Sequence, residues 1–399
     1  MEVPTHDLPL SRAGVPDVSD SFFLDTFVQG DVLYRSPTAA FRGWAHPNEG
    51  LACSAHDYSA AVAGLAQQLR GAHRNSDVIF GAIPFSRNLP GHFFVPRQVA
   101  VSPSADRSGR AGAASPQELS RSELPGKQGY VDAVSEVLER IERGTITKVV
   151  LARALDIVLT EPLSYPALLA QLLADHGKGY TFAMPVPAAA AQEMEMLVGA
   201  SPELLARRQG DRITVNPLAG SSARLADPLA DAAAAKALSV SSKDRYEHAI
   251  VVDDIRRRLA PLCSELSVPE APSVIGTDTL WHLSTEISGI LKTRQTSALD
   301  VALALHPTPA ICGYPTQEAA ACIDELEPFA RGFFAGLVGW QNVDGEGEWA
   351  IALRCAQVAG RHLRLFAGAG VVDGSDPVRE YEETATKLST LLRALSASA

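Results

Sequence analysis

Asp244 and Glu247 stand three residues apart, as do Glu380 and Glu383, and that spacing puts each pair on one face of a helix, about one turn apart. If the two faces met, four carboxylates would converge and invite a hard cation. Mg²⁺ suits such oxygen donors, because it keeps several waters and commonly bridges one or two carboxylates to an anionic substrate. Taken alone, either pair reads as a solvated helix face. Lys387 follows Glu383 by four residues, either as an i,i+4 salt bridge or as a counter-charge for a ligand.

Lysine is scarce in this chain. Of 35 Lys and Arg residues only Lys127, Lys148, Lys178, Lys236, Lys243, Lys292 and Lys387 are lysines. Lys148 falls inside Ile146–Leu159, a run of Val, Ile, Leu and Ala, where burial would lower its pKa and yield a neutral amine able to take a proton. The alternative is a lysine snorkelling at a strand edge. Glu203 follows Gly199-Ala200-Ser201-Pro202 and precedes Leu204-Leu205. A carboxyl at a rigid turn beside apolar side chains has a raised pKa and can act as a general acid, although capping is the commoner role of Ser-Pro-Glu. Gly199, Gly220, Gly313, Gly368 and Gly370 lie in turn-like contexts where backbone N–H groups could reach a carboxylate. His282, in Leu280-Trp281-His282-Leu283, is a hydrogen-bonded core histidine or a catalyst. Arg354 interrupts an apolar strand and needs an anionic partner from the protein or from a ligand.

The elements that must position these residues come from a 399-residue chain that is 46% hydrophobic and 20% charged, enough for two or three domains or one large sheet-based unit. A net charge of −11 argues against sequence-independent nucleic-acid binding. Cys53, Cys263, Cys312, Cys322 and Cys355 are scattered, without C-x-x-C or zinc spacing, which fits a reducing compartment. With no secretory signal at Met1–Gly14 and no run of ~18 apolar residues, a cytoplasmic protein with no membrane role is expected.

Residues 1–101 read as short strands and helices in the N-terminal part of the fold. Residues 102–128, rich in Ser, Gly, Ala, Pro and Arg, read as a flexible loop or linker. From 129 to 396 the pattern is regular. A helix is predicted around Val131–Ile141, a strand over Ile146–Leu159, a helix over Tyr165–His176, and strands at Tyr180–Met184 and Glu195–Gly199. Leu204–Arg208 and Arg212–Val215 form a hairpin, and Gly220-Ser221-Ser222 opens a loop. A long helix is expected from Ser242 to Leu266, capped by Ser241 or Ser242. Strands follow at Phe333–Trp340, Trp349–Val358 and His362–Phe366, and Asp376-Pro377 starts a last helix through Leu395. Helices and antiparallel strands intermix without Rossmann or P-loop glycines, which indicates an α/β chain of the α+β type.

In order along the chain, Lys148-Val149-Val150-Leu151-Ala152-Arg153, Gly199–Leu205, Pro217-Leu218-Ala219-Gly220-Ser221, Ser242–His248, Leu305-His306-Pro307-Thr308-Pro309-Ala310 and Gly368-Ala369-Gly370 resemble the chorismate-utilising enzymes. That family includes anthranilate, aminodeoxychorismate, salicylate and isochorismate synthases, and the likeness is strongest to the last. It runs from about 128 to 396. The resemblance implies one unit of stacked antiparallel sheets with helices outside and a central active site. It implies Lys148 as the base that activates water to attack C2 of chorismate, and Glu203 as the acid that protonates the departing C4 hydroxyl. Glu247 and Glu383 match the Mg²⁺-binding glutamates, with Asp244 and Glu380 holding the metal's waters. Arg354, Lys387 and the backbone at Gly368–Gly370 match positions that hold the enolpyruvyl carboxylate, while Gly220, Ser221, His282 and Ala310 match the pocket wall.

Few positions choose among the family's reactions. Anthranilate synthases carry Gln at the place of Lys148 and need a glutaminase partner. Aminodeoxychorismate synthases carry a lysine nucleophile where this chain has Ala219. Salicylate synthases share the lysine base but typically have Thr at the places of Ser221 and Ala310. The expectation is a monomeric isochorismate synthase without a glutaminase subunit; salicylate synthase is the alternative, and a silent chorismate binder the remote one. Cys312, where the family often has Ser, and Asp373-Gly374 depart from its pattern. The downstream product, siderophore, menaquinone or another aromatic, is not fixed by the sequence.

Overall fold

Strands dominate because the apolar runs are short, rich in Val, Ile, Leu and Phe, and punctuated by glycine turns. The computed structural model describes residues 24–44, 51–71, 77–102, 116–175, 177, 179–187 and 194–397. In chain order these form β1 (Val32–Arg35), β2 (Ala40–Trp44), β3 (Leu51–Ala55), α1 (Tyr58–Gly71), β4 (Val78–Ile83), β5 (Gly91–Val95), β6 (Gln98–Ser102) and β7 (Glu118–Leu124). Next come α2 (Lys127–Glu142), β8 (Lys148–Leu159), α3 (Tyr165–Asp175), β9 (Tyr180–Pro187), β10 (Met194–Ser201), β11 (Leu204–Gln209), β12 (Arg212–Asn216) and β13 (Leu218–Ala223). Then α4 (Pro228–Val240), α5 (Ser242–Leu259), β14 (Cys263–Ser267), β15 (Ser273–Gly276), β16 (Leu280–Ser284), β17 (Ile287–Leu291) and α6 (Ala298–Leu305). The last are β18 (Gly313–Tyr314), α7 (Thr316–Leu326), β19 (Leu337–Asn342), β20 (Gly347–Ile351), β21 (Cys355–Ala359), β22 (His362–Val372) and α8 (Pro377–Ala397).

Among the described residues the strands pair into two large antiparallel sheets and a small one. The first runs β18-β8-β22-β21-β10-β9-β1-β2-β6, with β7 also on β8; the second runs β14-β17-β12-β11-β20-β19-β4-β5-β3; the third is β13-β16-β15. Tyr34, Phe41, Phe182 and Leu197 of the first large sheet share one apolar core with Phe80, Ile83, Leu337 and Trp349 of the second. The other face of the first sheet is covered by Leu168, Leu169 and Leu172 of α3 and Leu388 and Leu391 of α8. Residues 32–102 supply three strands to each large sheet, so the N-terminal part is woven into the same layers.

Several sequence expectations need correction. Glu118–Leu124, read as part of a loop or linker, is an edge strand on β8. Its first five side chains are exposed, and backbone pairing of such a segment leaves little mark in composition. Residues 103–115 of that segment lie outside the described residues. The helix predicted from Val131 already begins at Lys127, and the one expected to reach Leu266 stops at Leu259, because Pro261 has no N–H to continue the helical ladder and Cys263–Ser267 pairs with β17.

Gly220-Ser221-Ser222 does not open a loop. It lies within β13, where Gly220 takes a φ of 78° and the register slips between Leu218 and Ser221, so the glycine marks a bulge. Gly199, Gly313, Gly368 and Gly370 likewise sit in strands rather than turns. Phe333–Gly336, expected at the head of a strand, precede it. The single strand expected over Trp349–Val358 is two, with β20 in one large sheet and β21 in the other. The chain changes sheets at Ala352-Leu353-Arg354, where Arg354 adopts a φ of 45°.

Candidate active site

Four pieces of chain converge where the sheets part. β8 begins with Lys148, which is fully buried, and β22 runs beside it with Gly370 opposite Val150 and Val372 opposite Lys148. Helix α5 is started by Ser241, whose hydroxyl accepts the Asp244 N–H, and it brings Glu247 over the two strands. The N-terminal half of α8 brings Glu380, Glu383 and Lys387. A Cβ at Gly370 would lie 2.2 Å from Glu247 Oε1 and 3.1 Å from Lys148 Cε, so a larger residue there would displace the Glu247 carboxylate.

These pieces help wall a single cleft. Glu203, Glu247 and Glu383 line it, as do all eight candidate substrate contacts: Gly220, Ser221, His282, Ala310, Arg354, Gly368, Gly370 and Lys387. Lys148, Asp244 and Glu380 stand behind this wall. Lys148 Nζ lies 2.8 Å from Glu247 Oε1 without forming a hydrogen bond to it.

Glu203 occupies the two-residue link between β10 and β11 and is 2% exposed. Burial pushes its carboxyl up to about 8, against the pull of the Leu218 N–H and of the Lys148, Arg354 and Lys387 charges. A protonated carboxyl on the cleft surface at neutral pH is a proton donor. Opposite in character is the Arg354–His282 contact. Arg354 Nη2 donates to His282 Nε2 at 3.0 Å, and burial together with the Arg354 and Lys387 charges pushes the imidazole well below its usual range. Burial also lowers Arg354, to about 10, and its Nε has no hydrogen-bond partner among the described residues. A strained, buried guanidinium with a spare N–H beside a neutral imidazole is a receptor for an anion.

The carboxylates sit in a web of lysines. Lys243 pairs with Glu380 at 2.8 Å and Lys387 with Glu383 at 2.7 Å; Lys387 also donates to Gly368 O, and Ser221 to Glu383 Oε1. Burial raises Glu380, and Glu383 beside it raises it further. Asp244 is raised by burial and by Glu247 and Glu383, although Ser241 holds its carboxylate. Glu383 lies below the ordinary range despite its burial, because Lys387, Ser221 and Lys243 hold its charge. Among the described residues, no three His, Cys, Asp or Glu side chains close around one point as metal ligands; lysines take that place.

Residues not singled out from the sequence also line the cleft, among them Arg331, Phe334 and Phe366. The two phenylalanines stack at 5.0 Å. Arg331-Gly332-Phe333-Phe334 carried no local signal beyond a cation before apolar residues. Lys243, inside the motif Ser242–His248, was passed over as well.

The family model for chorismate binding enzymes matches residues 98–396. The chain is 41% identical over 346 residues to isochorismate synthase DhbC of Bacillus subtilis, covering 84% of this chain and 85% of that one. It is 38% identical over 319 residues to isochorismate synthase EntC of Escherichia coli K12, covering 79% and 80%. The crystal structure of DhbC from Bacillus anthracis superposes with a TM-score of 0.88 at 36% identity, over 95% of this chain and all of that one. Anthranilate synthase component I from Streptococcus pneumoniae, at 18% identity and a TM-score of 0.67, shares the fold. The matched span holds every residue of the site named above, from Lys148 on β8 to Lys387 on α8, and this chain belongs to the chorismate binding enzyme family.

Proposed function

We propose that the protein is an isochorismate synthase, an isomerase that converts chorismate to isochorismate. One water enters at C2 of the ring and one leaves from C4, so the product is an isomer of the substrate. The reading is carried by a buried carboxyl on the cleft surface that keeps its proton up to about 8, Glu203, with a buried lysine behind the cleft wall against Glu247. In this reading Lys148 takes a proton from the attacking water, and Glu203 gives one to the departing hydroxyl. Arg354 and Lys387, with the backbone at Gly368 and Gly370, hold the enolpyruvyl carboxylate. Gly220, Ser221, His282 and Ala310 form the wall. The relatives named as isochorismate synthases support the assignment. Ala219 lines the cleft where an amine nucleophile would otherwise stand, which supports water as the attacking group and a reaction that needs no glutaminase subunit.

The donor set also fits a hard divalent cation. Four carboxyl groups, Asp244, Glu247, Glu380 and Glu383, face three lysines, Lys148, Lys243 and Lys387, so acidic groups outnumber the lysines in the cluster. Glu247 and Glu383 would hold Mg²⁺ directly, with Asp244 and Glu380 on its waters. When bound, it would neutralise the ring carboxylate of the substrate.

The test is product analysis. Purified protein incubated with chorismate and Mg²⁺ is expected to give isochorismate as the dominant early product by chromatography. Salicylate plus pyruvate in its place would move the assignment to salicylate synthase, and binding without turnover would leave a silent binder.

Two further outcomes are expected. An acid works only while protonated, so kcat is expected to fall as pH rises through about 8, where Glu203 loses its proton. A kcat constant up to pH 10 would remove Glu203 from that role. Gly370→Ala is expected to lower turnover by about 100-fold, since displacements of about 1 Å cost that much in a positioned site. The variant should keep the circular dichroism of the parent, because the clash is with the Glu247 and Lys148 side chains.

A further inference from the structure

One stretch of β8 is held by side chains where a strand would be expected. On its outer edge β18 covers Lys148 and Val149, and β7 begins only at Ala154. The backbone groups that point into the gap are the Val150 carbonyl and the Ala152 N–H. Arg331 Nη2 donates to Val150 O at 2.6 Å, and the Ala152 N–H donates to Glu327 Oε1 at 2.7 Å. The two side chains, each 3% exposed, are joined to one another through Arg331 Nε and Glu327 Oε2 at 2.8 Å. Arg331 Nη1 donates to Ile311 O at 2.8 Å, next to Ala310 of the cleft wall, and its guanidinium lies over the Phe85 ring at 4.5 Å.

Four of the five guanidinium N–H groups of Arg331 are thus taken up by Glu327, Val150 O and Ile311 O. Apolar residues of similar shape could not replace this pair without leaving Val150 O, Ile311 O and the Ala152 N–H buried and unpaired, so its bonds tie it to the backbone as much as to itself. What the pair does supply is three directional hydrogen bonds to two separate chain segments, β8 at Val150 and Ala152 and the wall at Ile311, beside the backbone bond from the Val150 N–H to Cys312 O, two residues from Lys148.

We propose that Glu327 and Arg331 are positioning residues for the reaction: they set the separation between the Lys148 amine and the wall that holds the substrate ring. The proposal rests on the reading of Lys148 as the base.

Arg331→Lys keeps a charge for Glu327 but lacks the fork that reaches Val150 O and Ile311 O together. Its kcat is expected to fall about 10- to 100-fold, as misplaced reacting groups do, with KM within about 3-fold of the parent. Arg42→Lys is the control, because it disturbs a buried Arg–Asp pair of 2.8 Å remote from the cleft and should lower the thermal midpoint without lowering kcat. If Arg331→Lys fails to fold, Glu327→Gln, which keeps the shape and an acceptor for the Ala152 N–H, is read in the same way. A kcat close to that of the parent, a loss confined to KM, or the same fall in Arg42→Lys would each overturn the proposal. Lys148→Ala, assayed in parallel, separates the two levels: if it turns over normally, the base assignment fails and the positioning role with it; if it is inactive while Arg331→Lys is normal, the positioning role alone fails.

Discussion

Lys148→Ala and Lys148→Arg are each expected to lose at least about 100-fold in turnover of chorismate, the scale of one general base, while still binding the substrate. The two substitutions separate the amine's roles. Lys148 is fully buried and 2.8 Å from Glu247, so removing it also strands a buried carboxylate, and Ala alone would confound lost proton transfer with lost charge balance. Arginine restores the balancing charge but holds its proton at any working pH. If both variants are inactive, proton transfer is what the lysine contributes. Recovery in Lys148→Arg would reassign Lys148 to holding Glu247 in place. Equilibrium binding of chorismate to each variant, by calorimetry with Mg²⁺ present, shows whether the cleft is intact.

Glu203→Gln is expected to be nearly inactive and more stable than the parent. The activity loss follows from the missing acid, again on the order of 100-fold or more. The stability gain follows from linkage. Burial raises the carboxyl from 4.5 in the open chain to about 8 in the fold, so the folded protein keeps a proton that the unfolded chain gives up. Below the unfolded value both states are protonated and there is no penalty. Between the two values stability falls as pH rises, and above about 8 the penalty is complete. At pH 7 it amounts to about 3 kcal/mol, which glutamine avoids. Thermal midpoints of the two proteins should therefore diverge at pH 7.5 and approach one another at pH 5. A Gln variant less stable at both pH values would show that the amide is not accommodated and that the carboxyl is not the destabilising group inferred.

Much of this site is local in the chain. Glu203 announces itself through Ser-Pro before it and Leu-Leu after it, and the acidic pairs through helical spacing. What stayed hidden depends on distance along the chain or on backbone alone. Glu327 meets Ala152 across 175 residues and Arg331 meets Val150 across 181, so nothing near either residue reveals its partner. Arg354 was visible as an interruption in an apolar run, but not as the point where the chain leaves one sheet for the other, because both halves are equally apolar. Glycine misled in a consistent way. Gly220 and Gly370 were read as bends, whereas one accommodates a bulge and the other makes room for a carboxylate from a neighbouring helix.

The interweaving of the N-terminal strands has a practical corollary for anyone trimming this enzyme. β9 and β19, interior members of the two large sheets, have β1 and β4 as their outward neighbours. A fragment starting at 98, where the family match begins, would bare a raw edge on both sheets at once, each a template for adhesion to another copy. Among the described residues the cleft is lined from Val150 onward, yet the strands that cover one edge of each large sheet come from before it.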